Sequence, residues 1–262
     1  MPLPFTRSIG RKLASYLSQP SQRGVRVATC SVNELAKTLK KGDVLLVEGR
    51  SRFSIAIKYL TQSTWSHAAL YIGDAVDEDP ENPASKTLLE ADIIDGVRLS
   101  PLNIYADTHT RICRPSGLSS AEIDSLIAYS MTRLGNSYDL KNIFDLARYL
   151  IQKPPVPNKW RRKLLAIGSG DPTRAICSSL IAETFHTIKY PILPEFRVDG
   201  ERTPHGTIVY EEQAHIRHHS LFAPGDFDLS PYFDIIKPTL ACGFDPHEIK
   251  WNESEFTHPK PS

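Results

Sequence analysis

The feature that most constrains the fold is the order in which two kinds of hydrophobic pattern follow each other. VLLV (Val44–Val47), SHAALYIG (Ser66–Gly73), Thr87–Ala91, Gly96–Leu99 and Thr110–Arg114 are short apolar runs bounded by turn residues. Such runs read as strands rather than helices. Beyond Ser119 the period changes. Ser119 and Glu122 stand at capping-box spacing, Ile123, Leu126, Ile127, Met131 and Leu134 trace a helical stripe, and Gly135 is a helix stop. Asp139–Ile151 continues as helix until Pro154 and Pro155, and a further helix is expected over Ser178–Ile188. Helices at Asn33–Lys40, opened by Ser31 and Glu34 and closed at Gly42-Asp43, and at Ser51–Leu60 flank the first strand. A mostly antiparallel sheet followed by helices predicts an α+β fold.

Composition removes several function classes. With 31 Lys+Arg against 30 Asp+Glu, the net charge is +1, which argues against bulk nucleic-acid binding. No apolar run reaches the roughly 18 residues of a membrane span, and the first residues lack the apolar core of a secretory signal. Cys30, Cys113, Cys177 and Cys242 are far apart and form no CxxC pair, so reduced thiols and a cytoplasmic chain are expected. Residues 1–26 hold five basic residues and no acid, with Leu3, Phe5, Ile9, Leu13 and Leu17 near helical spacing. This reads as a helix docked on the domain. The alternative is peripheral contact with the inner face of a membrane.

Cys177, in RAICSSLIAETF, stands where an irregular segment enters an amphipathic helix. A thiol there feels the positive end of the helix dipole, which favours the thiolate, and the free N–H groups of the first turn can cradle an oxyanion. A buried, inert cysteine is the bland alternative. A thiol nucleophile needs a base, and His67 opens the second strand. If Ile72 lies opposite Thr87 across the acidic loop, His67 falls opposite Asp92, with Glu90 diagonal on the same face. Either carboxylate could then orient the imidazole. HIRHHSL (His215, His218, His219) lacks a companion metal motif and reads as polar surface. The basic stretch Lys159–Lys163 reads as a solvated face, and Gly168-Ser169-Gly170 is no phosphate loop.

GDVLLVEGRSRFSIAIKYLTQSTWSHAALYIG, LLEADIIDGVRLSPL, LGNSYDLKNIFDL and CSSLIAETF, in that order, resemble the permuted NlpC-type papain-fold cysteine hydrolases of the YiiX/YebB-like branch. The resemblance covers residues 42 to about 188, with a weaker echo at Pro224–Phe233. It implies a permuted papain-like fold with Cys177 as nucleophile, His67 as base and Glu90 as third member, Asp92 being the alternative orienter. Tyr138, Ser178 and Trp65 are assigned to the pocket or oxyanion side. The expected organisation is an N-terminal helical extension (1–41), a hydrolase domain (42–200) and a C-terminal extension packed on it (201–262). The expected function is hydrolysis of an amide or ester bond in a small peptide, amide or lipid-like substrate, through an acyl-enzyme and without metal or cofactor. A membrane-associated lipid acyltransferase or thioesterase on the same scaffold, and a non-catalytic binding module, are the alternatives.

Overall fold

Ser31 starts the first helix by accepting the Glu34 N–H while Glu34 caps the Ser31 N–H in return, so that α1 runs over Val32–Thr38. The computed structural model describes residues 16, 19, 28–76, 79–92, 94–136, 176–202, 208–215 and 217–248. The helix expected over Asp139–Ile151, the basic segment before Cys177, Tyr138 and nearly all of residues 1–26 lie outside the described residues. Gly42, at φ +88°, makes the left-handed turn out of α1 that a side chain would resist. Asp43 follows it and leads into β1 (Val44–Val47).

The succeeding elements are α2 (Arg52–Thr61), β2 (His67–Tyr71), β3 (Leu88–Asp92), β4 (Gly96–Ser100), a 3₁₀ turn at Leu102–Tyr105 and β5 (Thr110–Pro115). Next come α3 (Ser120–Met131), α4 (Ile176–Thr187), β6 (Glu195–Arg202) and β7 (Ile208–His215). After them come α5 (Gly225–Leu229), β8 (Phe233–Ile236), α6 (Pro238–Ala241) and a last 3₁₀ turn at Pro246–Glu248. Six strands form one antiparallel sheet in the order β4-β3-β2-β1-β5-β8, and β6 pairs with β7 separately. The fold is therefore α+β, an antiparallel sheet followed by helices.

The central position of β1 explains its sequence. All four of its residues are buried, because both faces of the sheet are covered, and VLLV has no need to alternate. On one face, Leu46, Ala68, Leu70, Leu89 and Ala91 pack beneath Leu180, Ile181 and Phe185 of α4. On the other, Leu45, Val47, Ala69, Tyr71 and Leu88 meet Leu35 and Leu39 from the α1 region and Leu102 of the 3₁₀ turn. The stretch past residue 200 shows only scattered strand signals in sequence, yet it completes the sheet. β8 pairs with β5, Ile112 opposite Ile236 and Cys113 opposite Ile235. Phe233 stands edge-on to both Phe185 and Phe227, with ring centroids 5.2 and 5.6 Å apart, and Phe227 lies tilted against Phe185.

Asp43 is fully buried, and Arg114 of β5 grips both its oxygens at 2.8 and 2.7 Å. Burial raises the Asp43 carboxyl above its ordinary range despite that partner. Desolvation is thus the larger effect, and the pair is a costly one. Asp43→Ala, which strands the Arg114 guanidinium, is expected to lose about 3 kcal/mol. Asp43→Leu combined with Arg114→Met is expected to recover most of that loss. Urea unfolding of the two variants checks both expectations.

Candidate active site

The register across the acidic loop is the one the sequence predicts: Leu70 pairs with Leu89 and Tyr71 with Leu88. Continued along the strands, it brings His67 and Glu90 together. His67 Nε2 lies 2.9 Å from Glu90 Oε2. Because Glu90 takes Nε2, Nδ1 is the ring nitrogen left for a second partner. Cys177 is near enough to the ring for its sulfur to favour the charged imidazole. Cys177 is the second residue of α4, and α4 packs across β2 and β3, so the helix delivers the thiol to the strand that carries the imidazole. Cys177 is 4% exposed, whereas the His67 side chain retains 22% exposure.

Glu90 is 1% exposed and saturated with donors. Its Oε1 accepts Arg98 Nε at 3.1 Å, Arg98 Nη2 at 3.0 Å and the Ser100 hydroxyl at 2.6 Å. Its Oε2 accepts His67 and the Tyr105 hydroxyl. Burial alone would raise the Glu90 pKa, but His67, Ser100 and Tyr105 more than offset it and hold the carboxyl far below its ordinary range. The opposite balance holds at His67. Burial disfavours the charged ring, while Cys177 and then Glu90 outweigh it and hold the imidazole well above its ordinary 6.5. Burial, followed by the Glu90 charge, pushes the Tyr105 phenol well above its usual range, so it stays a donor at neutral pH.

Asp92 shares the strand face but is engaged elsewhere. Its carboxylate caps the β3–β4 turn through the Ile94 and Asp95 N–H groups at 2.7 and 3.0 Å, and it lies 3.5 Å from Arg98. Of the two carboxylates the sequence offers, Glu90 is the one bonded to His67. The Ser178 hydroxyl donates to the Phe222 carbonyl at 2.7 Å and ties α4 to the segment before α5. Trp65 is buried with its indole N–H on Asp228 at 3.0 Å, and the Arg111 guanidinium, itself bonded to Asp228, lies 5.1 Å from its ring. Tyr138 is outside the described residues.

Arg98, Ser100 and Tyr105 were not among the expected site residues. Arg98 had a signal: the β3–β4 hairpin places it directly opposite Glu90, a basic residue across from an acid. Tyr105 had none, because a four-residue 3₁₀ turn carries no periodicity.

Among the described residues no group of three or more His, Cys, Asp and Glu side chains is arranged to hold a metal ion. His218 and His219 stack with ring centroids 4.2 Å apart, and the His218 ring is hydrogen-bonded to Ser220. No helix among the described residues is long and apolar enough to cross a membrane.

Residues 38–149 match the sequence model of a family described as permuted papain-like amidase enzymes, YaeF/YiiX, C92 family. That span contains His67 and Glu90 and stops short of Cys177. No curated protein matches the chain. A solved structure, that of the metalloprotein yiiX from Escherichia coli O157:H7, is similar over 75% of this chain and 96% of its own, with 16% identity and a TM-score of 0.43. Over residues 38–149, less than half of its length, the chain is thus similar to the permuted papain-like amidase enzymes.

Proposed function

We propose that the chain is a thiol hydrolase that cleaves an amide or ester bond, with Cys177 as nucleophile, His67 as general acid and base, and Glu90 as the residue that orients His67. The observation that carries this reading is the 2.9 Å hydrogen bond between His67 Nε2 and the buried Glu90 carboxylate, on strands against which the helix that begins at Ile176-Cys177 packs. His67 takes the Cys177 proton, and the thiolate attacks the substrate carbonyl carbon, forming a C–S bond as the carbonyl electrons move onto oxygen. The backbone N–H groups of the first turn of α4 are the donors offered to that oxyanion. When the intermediate collapses, the C–N or C–O bond breaks and the imidazolium protonates the leaving group. Neutral His67 then deprotonates a water, which attacks the thioester carbonyl and releases the acid and the thiol. Glu90, held as a carboxylate, fixes the tautomer and stabilises the imidazolium without taking its proton.

Iodoacetamide labelling against pH, read residue by residue by mass spectrometry, tests the reading. Cys113 is buried with its thiol pushed far upward, and Cys30 is pushed up to about 11 by burial and by Glu34 and Cys242, so neither competes at pH 6. Exposed Cys242 supplies the reference rate. Cys177 is expected to label faster than Cys242 at pH 6, and His67→Ala is expected to abolish the difference. Labelling of Cys177 no faster than Cys242 across the range would overturn the reading.

A further inference from the structure

The Glu90 carboxylate is held from three elements at once. β4 supplies Arg98 and Ser100 to Oε1, the 3₁₀ turn supplies the Tyr105 hydroxyl to Oε2, and β2 supplies His67 to the same Oε2. A carboxylate offers about four lone-pair directions, and these donors fill them. Arg98 converges on Oε1 with both Nε and Nη2, which fixes the position of that oxygen while Tyr105 holds the other. Arg98 is itself anchored at its far side, Nη1 lying 2.6 Å from Asp95, with Asp92 3.5 Å from Nη2. The Tyr105 ring also lies against the His67 ring, at 6.2 Å between centroids and a 39° tilt. Tyr105 therefore touches both partners of the His67–Glu90 hydrogen bond.

We propose that Arg98 and Tyr105 are positioning residues of the candidate catalytic centre: they clamp the Glu90 carboxylate from opposite oxygens, leaving one acceptor direction on Oε2, and that direction aims His67 at Cys177. Each acts through Glu90, and Tyr105 also acts through the face of the imidazole. Rotation of the carboxylate by tens of degrees would carry the His67 ring away from the sulfur, and with Arg98 and Tyr105 removed only the Ser100 hydroxyl and His67 itself would still hold it.

The inference rests on the thiol-hydrolase reading, and its test separates the two. In the full chain labelled with ¹⁵N-histidine, the His67 Nε2–H resonance is located as the low-field signal lost in His67→Gln. Wild type is expected to show it as a slowly exchanging resonance. Tyr105→Phe, which keeps the ring but removes the donor, is expected to broaden it into solvent exchange. Arg98→Gln is expected to do the same, and Arg98→Lys, which keeps the charge but loses the two-nitrogen contact, to recover it in part. Labelling of Cys177 by iodoacetamide at pH 6 is expected to slow roughly 5-fold in Tyr105→Phe, the weight of one hydrogen bond. If both variants keep the sharp resonance and the wild-type labelling rate while only melting earlier, Arg98 and Tyr105 are structural and the proposal is wrong. Absence of the resonance from wild type overturns it equally. A resonance that responds as expected, in a protein whose Cys177 is no more reactive than Cys242, upholds the clamp and overturns the hydrolase reading.

Discussion

Cys177→Ala is expected to lower hydrolysis of any amide or ester the protein accepts by about 10⁴-fold or more, because the proposed acyl-enzyme route needs the sulfur to form its covalent bond. Removing one sulfur atom from a helix start leaves the surrounding Leu180, Ile181 and sheet contacts in place, so the melting temperature is expected to change little. His67→Ala is expected to cost a similar factor. The double variant is expected to be no worse than either single one, since residues that act as a unit lose their shared contribution only once. A panel of amide and ester substrates, with intact-mass detection of the acylated protein, provides the measurement. Turnover by Cys177→Ala at a tenth of the wild-type rate or more would show that the chemistry does not pass through this thiol.

Glu90→Leu is expected to damage stability and reactivity together. Glu90 is buried, and its loss leaves Arg98, Ser100, Tyr105 and His67 without their common acceptor. Breaking such a network by removing one member costs about 4 kcal/mol, which urea unfolding reads directly. Glu90→Gln keeps the shape and isolates the charge. The pH behaviour follows from the two opposite shifts. Glu90 is held below its ordinary 4.5, so its contribution to stability is present above that value and is lost only as pH falls through the much lower folded-state pKa. His67 is held above its ordinary 6.5, so its contribution is full below 6.5 and is lost as pH rises from there through the folded-state pKa. Both contributions are complete between 4.5 and 6.5, where the melting temperature is expected to peak. In Glu90→Gln the attraction for the imidazolium weakens, and the decline above pH 6.5 is expected to flatten. An unchanged alkaline decline would mean that Glu90 does not charge-couple to His67.

Much of this site was legible in the sequence because it sits on paired strands, where a few local rules determine geometry. Period-two alternation and an Ile72–Thr87 pairing are enough to bring His67 to Glu90, and a cysteine heading an amphipathic helix after a sheet is visible without any structure. The choice between Glu90 and Asp92 was harder, since both share the face. It is decided by the β3–β4 turn, whose amides capture Asp92 and whose register hands Arg98 to Glu90. Tyr105 and β8 were not legible, for different reasons. Tyr105 reaches Glu90 from a single 3₁₀ turn whose placement is tertiary. FDII is four residues long, lies among prolines, and gains its identity only by docking on β5. Ser178 and Trp65 carry polar groups that the sequence offers to a pocket, whereas packing directs them to the Phe222 carbonyl and to Asp228.

The edge position of β8 bears on how the protein is born. β5 spans residues 110–115 and its outer partner spans 233–236, so more than a hundred residues separate emergence of the two from the ribosome. At about 5–20 residues per second, that interval lasts from several seconds to tens of seconds. During it, β5 presents an unsatisfied row of N–H and C=O groups, and Phe185 lacks the aromatic lid that Phe227 and Phe233 provide. A nascent chain stalled near residue 200 already carries the thiol, the imidazole and the carboxylate. Its outer β5 edge and the Phe185 ring stay uncovered until residues 227–236 have been added.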